Sequence, residues 1–139
     1  MRLGIIAEGK ADIAVIKAVL KALKGIDGSD VVQLRPSEQF DETDLNEMNF
    51  SNWNLVLKSC EDNSLLQSFF DVLADDALLV VQIDTAERGE AGYDINEPLR
   101  TKDTDWKEYC DYLYKAVEYK ISNIIPETYR DKVAYAIAI

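Results

Sequence analysis

Residues 78–84, LLVVQID, form an apolar run with one polar interruption, and the run ends on an acid. A strand with one wet face alternates apolar and polar side chains, whereas a nearly unbroken run is what a strand covered on both faces requires. Such a strand belongs in the interior of a parallel sheet. Parallel neighbours cannot be joined by tight turns, so the chain must supply crossover connections, ordinarily right-handed helices. This single segment therefore predicts an α/β fold and demands helices on either side of it.

The remaining sequence meets that demand. Residues 2–7 (RLGIIA) read as a short apolar strand. Residues 11–24 carry Ile13, Ile16, Leu20 and Leu23 at three- and four-residue spacing, the signature of a helix face. Gly25 is a natural stop for that helix, and Lys21 and Lys24 suit the negative end of its dipole. Residues 30–35 predict a second strand, ended by Pro36. The acidic stretch 37–51 is long for a loop in a compact domain and reads as a lid-like or solvated segment. Residues 52–61 and 64–74 predict two short helices that turn Trp53, Val56, Leu57, Leu66, Phe69 and Phe70 inward, and Asp75 and Asp76 read as a turn. After the central run a Gly-containing polar loop extends to about Asp103. Residues 105–123 then predict a helix with Trp106, Tyr109, Leu113, Val117 and Ile121 on its inner face and tyrosines covering the core edge. Residues 132–139 (KVAYAIAI) complete the pattern as a last strand. The order β-α-β-α-α-β-α-β describes a mostly parallel sheet flanked by helices, read as one domain over residues 1–139. Because the chain stops inside an apolar strand, it also reads as the N-terminal part of a longer protein.

Charge and composition narrow the chemistry. With 15 Lys and Arg against 26 Asp and Glu, the net charge is −11, the wrong sign for gripping a phosphate backbone unaided. Nucleic acid is then a partner only if a metal ion or a second protein supplies positive charge. The other partners read from this surface are a protein or a second copy of the chain, not a membrane, since no run approaches the ~18 apolar residues of a span. Histidine is absent, which removes Ser-His-Asp and Cys-His catalysis and His-ligated zinc. Cys60 and Cys110 lack the paired spacing of a zinc site and read as reduced thiols of a cytoplasmic protein.

What remains is carboxylate chemistry, and two acids stand where parallel sheets bind ligands. Glu8 follows the first strand and Asp84 ends the central one, and ligands of open α/β sheets sit beyond the carboxyl ends of the strands. If those strands are neighbours, the two carboxylates are close enough to share a divalent cation, and Mg²⁺ or Mn²⁺ suits a pair of carboxylates because the ion keeps several waters. Asp12, Glu87 and Glu90 are near enough in sequence to extend the cluster. Gly9 allows a sharp turn into the first helix, whose N-terminus with Lys10 beside it is a candidate phosphate site. Each acid also has a plainer role: Glu8 as a cap on the first helix, Asp84 as a turn residue, Asp12 as a complement to the helix dipole, Glu87 and Glu90 as solvated loop acids.

The segment IIAEGKAD resembles the opening of Toprim domains, the topoisomerase–primase module, in which a strand ends in Glu-Gly and a helix follows. LLVVQIDTAE resembles their second motif, in which a hydrophobic strand delivers Asp-x-Asp. VVQLRP and NWNLVLKSCE are similar to an uncharacterised bacterial and phage group of Toprim-related proteins akin to the OLD-family nucleases. The resemblance spans most of the chain through short motifs. It implies a Toprim-like α/β fold and metal-dependent phosphodiester cleavage, with Glu8 as general acid or base and Mg²⁺ or Mn²⁺ held by Glu8 and Asp84. The second aspartate of the motif falls on Ala86, which has no ligating atom. Glu87, one residue on, is the candidate replacement, so the metal site is either reshaped or degenerate. Two further readings stay open: an inert acidic α/β module for protein interaction, and a receiver-like domain with Asp84 as phosphoacceptor.

Overall fold

The structure, a computed structural model, describes residues 1–36, 52–73 and 76–139. Strand β1 (Arg2–Ile6) leads into helix α1 (Lys10–Lys24) and strand β2 (Val31–Arg35). Helices α2 (Asn52–Glu61) and α3 (Asn63–Leu73) precede strand β3 (Ala77–Asp84), and helix α4 (Trp106–Ile124) connects it to strand β4 (Val133–Ala138). The acidic stretch 37–51 and Asp75 lie outside the described residues.

The four strands form one sheet in the order β2-β1-β3-β4, and every adjacent pair is parallel. The central position of LLVVQID follows from its own burial. Leu79, Val81 and Ile83 are fully buried on one side of β3, and Val80 and Gln82 are 8% exposed on the other. On one face of the sheet, Leu3, Ile5, Ala7 and Val80 pack with Ile13 of α1. On the opposite face Ile6, Leu79, Val81 and Ile83 meet a larger cluster from α2, α3 and α4. Each such aliphatic side chain taken fully out of water is worth about 1.5–3 kcal/mol, so the two layers hold the sheet from both sides.

Two glycines have positions that their chemistry explains. A Cβ on Gly4 would lie 2.9 Å from both Leu34 Cδ1 and Phe69 Cζ, so β1 admits α3 this closely only because residue 4 has no side chain. Gly25 takes a left-handed conformation (φ 65°) and its N–H returns to the carbonyls of Leu20 and Lys21, closing α1 where the sequence predicts. One expectation fails. Trp106, predicted on the inner face of its helix, is 58% exposed. It is the first residue of α4, ahead of the turns whose Tyr109, Leu113, Val117 and Ile121 reach the sheet, and its ring meets the edge of Tyr109 at 5.6 Å.

Candidate active site at the switch point

The chain leaves β1 toward β2 on one side and resumes with β3 on the other, so the strand order reverses between β1 and β3. That reversal is where open α/β sheets form their ligand crevice. Glu8 and Asp84 stand on its two walls.

The placement of Glu8 follows from unequal strand lengths. Pairing of β1 with β3 ends at Ile6 opposite Val81, while β3 runs on to Asp84. The amides of β3 beyond Val81 therefore have no β1 partner. Residues 7 and 8 finish the join with other groups. The Ala7 N–H donates to the Arg35 carbonyl at 2.8 Å, and the Glu8 N–H donates to Gln82 Oε1 at 3.0 Å. The Asp84 N–H then donates to Glu8 Oε2 at 2.9 Å. The carboxylate of Glu8 thus closes the strand pair instead of capping α1. Gly9 holds the N-cap position in an extended conformation and supplies no side-chain cap.

This bond carries a cost. The Glu8 carboxyl is half-buried, and burial is the largest reason its pKa rises from the ordinary 4.5 to about 7. The Asp84 amide works against the shift by stabilising the charged form, whereas the negative charges of Asp84, Asp12 and Glu87 add to it. These acids surround one cleft of about 350 Å³, lined by Glu8, Asp12, Gln82, Asp84, Ala86 and Glu87, with Trp53 and Ala138 completing the wall. Of the acids singled out in the sequence, Glu8, Asp84, Asp12 and Glu87 meet here. Glu90 and Lys10 are exposed and do not line the cleft. Ala86 lines it with a methyl group where the motif would place a carboxylate.

The loop after β3 is built to hold Asp84. Asp84 Oδ1 accepts the Ala86 N–H at 2.6 Å, an Asx turn, and the buried Tyr93 hydroxyl donates to the Asp84 carbonyl at 3.0 Å. Further on, Arg88 donates through Nε to Glu97 at 2.6 Å, through Nη1 to the Thr85 carbonyl at 2.9 Å and through Nη2 to the Tyr109 hydroxyl at 3.2 Å. The Tyr109 hydroxyl also donates to Glu97. The bond from Arg88 holds the Glu97 carboxyl below its usual range.

Three residues of this site escape a sequence reading centred on acids. Gln82 had a signal, since it is the polar residue inside the apolar run and lies two positions before Asp84, on the same side of the strand. Trp53 and Tyr93 had none, because an aromatic in the apolar pattern of a helix reads as core and a lone tyrosine in a polar loop reads as surface. Both are core here: their rings pack at 5.2 Å, and Trp53 also reaches the cleft.

The donor set is all oxygen, which suits a hard divalent cation. Glu8 and Asp84 each engage one oxygen with a backbone amide, so each has a second oxygen for an ion. That fits an ion held by two carboxylates and water. Among the described residues no group of three or more Asp, Glu, Cys or His side chains is placed to hold a metal.

No family model, curated protein or solved structure matches this chain. The fold and geometry therefore define its class: an α/β protein with a four-stranded parallel sheet and a carboxylate cleft at the strand-order reversal. Among the described residues no helix is long and apolar enough to cross a membrane.

Proposed function

We propose that the cleft is a Toprim-like, divalent-metal-dependent phosphodiester-cleaving site, reshaped by Ala86. The observation that carries this reading is the juxtaposition of Glu8 and Asp84 across the switch point, joined by the Asp84 N–H to Glu8 Oε2 bond. Mg²⁺ or Mn²⁺ bound by Glu8 and Asp84, with Glu87 beside them, would neutralise charge on the phosphoryl oxygens and lower the pKa of a bound water. In the metal-free cleft burial raises the Glu8 pKa to about 7; a bound cation would lower it and hold Glu8 as the carboxylate, the form that accepts a proton as general base. Gly9 and Lys10 open α1 on the side of β1 where a phosphate would approach.

The chain alone should be a poor nuclease. Its net charge of −11 forfeits the electrostatic attraction that dominates non-specific nucleic-acid binding, so efficient action on DNA or RNA calls for a partner or further chain carrying positive charge. The test is thermal melting with Mg²⁺ or Mn²⁺. At a metal concentration ten times its Kd the wild type should gain about 1.4 kcal/mol, and Asp84→Asn should gain nothing. Equal gains in both proteins would overturn the reading. A second reading, an inert acidic module for protein interaction, draws on the net charge of −11, and it predicts no metal stabilisation in either protein.

A further inference from the structure

Every acid on the cleft can accept hydrogen bonds, yet one donor beside them has no acceptor. Trp53 is 6% exposed and lines the cleft, and its indole Nε1 is buried with no hydrogen-bond partner among the described residues. Indole N–H is a donor only, and a buried donor left unpaired is a standing cost that native structures rarely carry without a reason. The orphan N–H and the carboxylates make complementary demands. The carboxylates call for a cation, and the N–H calls for an oxygen acceptor that no cleft carboxylate provides.

We propose that Trp53 is a substrate-binding residue whose indole N–H donates to a non-bridging oxygen of the phosphoryl group brought into the cleft with its divalent cation. The proposal rests on the phosphodiester reading above and adds to it the group that receives the phosphoryl oxygen. A cation–phosphoryl pair satisfies both demands together, whereas a phosphate alone meets the negative wall and a cation alone leaves the N–H unpaired. Water does not reach Nε1, so the ring must tilt to meet the ligand. The far edge of the indole lies against Gly92, where a Cβ would stand 3.4 Å from Cη2, so that edge is held close by a residue without a side chain.

The chain has two tryptophans, and Trp106 is an exposed residue outside the cleft. In a Trp106→Phe background the indole N–H resonance therefore reports Trp53 alone. The ligand is the dinucleoside phosphate dTpdT with Mg²⁺. The expected result is a downfield shift of that proton when dTpdT and Mg²⁺ are both present and not with Mg²⁺ alone. Trp53→Phe, which keeps the ring against Tyr93, should weaken dTpdT binding about tenfold and leave Mg²⁺ binding unchanged. If dTpdT binds but the indole proton does not move, or if Trp53→Phe binds dTpdT as tightly as wild type, this proposal is overturned and the phosphodiester reading survives. If dTpdT does not bind the wild type with Mg²⁺, this proposal is overturned, and the phosphodiester reading is decided by the metal-dependent melting of wild type and Asp84→Asn.

Discussion

Glu8 stands beside Asp84 where the loop after β3 begins, Glu97 lies within that loop, and the fold treats them in opposite ways. Glu97 meets the Arg88 guanidinium and the Tyr109 hydroxyl, and its pKa is driven down. Glu8 meets burial and three other acids, and its pKa is driven up to about 7. The first arrangement uses a charge to hold structure, binding the loop to α4. The second keeps a charge where structure alone would not ask for one. Local choices that oppose stability concentrate at functional sites, and that contrast is the physical reason to look for chemistry at Glu8 and not at Glu97.

Tyr93 sits between the two regions, so its loss is the largest disturbance expected. It is fully buried, packs on Trp53 and donates to the Asp84 carbonyl. Tyr93→Ala should cost about 3–5 kcal/mol, as large-to-small aromatic replacements in a core do, while Tyr93→Phe should cost about 1 kcal/mol for the hydrogen bond. Chemical denaturation measures both. A loss under about 1 kcal/mol in Tyr93→Ala would mean the loop is not anchored through this ring.

Glu8→Gln tests the costly side of the comparison. In metal-free protein, folded Glu8 keeps its proton up to about pH 7, whereas the unfolded chain loses it near 4.5. Between those values the folded state binds more protons, so stability falls as pH rises through this window and levels off above it. Taken whole, the shift is worth about 3 kcal/mol. The group is half-exposed, and solvent screening reduces that to about 1 kcal/mol. Glutamine keeps an oxygen for the Asp84 N–H and sheds the charge, so Glu8→Gln should melt roughly 3 °C above wild type at pH 8 and match it at pH 4. Melting curves across pH in the presence of a chelator decide this, and a variant less stable than wild type at pH 8 would show the carboxylate to be structural.

The sheet was the readable part. LLVVQID announces a strand covered on both faces, and the helix periodicities around it place α1 and α4 to within a residue or two. Acids at both strand tips were equally plain. The adjacency of β1 and β3 was not, because periodicity says which segments are strands and nothing about their order across the sheet. The path of the loop was also hidden. It turns on Gly92 and Asp94, both at positive φ, and on the burial of Tyr93, which together bring Arg88, Glu97 and Tyr109 within reach of one another. Nothing local in residues 88, 97 and 109 advertises that meeting. Trp106 misled for the same reason: its spacing fits the buried face of α4, but its place at the helix start leaves it no sheet to cover.

The smallest effect expected is at Glu97, and it sharpens the comparison by its sign. Glu97 and Arg88 are partly open to solvent, so screening limits their pair to about 0.5–1 kcal/mol despite the close geometry. The lowered pKa of Glu97 means the folded state favours its charged form, so this contribution is present at neutral pH and is lost as the pH falls through the folded value, below 4.5. Glu97→Gln should therefore destabilise at pH 7 by that amount and converge on wild type in acid, the reverse of Glu8→Gln, which converges in acid but stabilises at higher pH. Paired melting curves of the two variants measure the opposition directly. If both lower stability at neutral pH, Glu8 and Glu97 are alike in holding structure, and the contrast that marks the switch-point cleft as the functional site disappears.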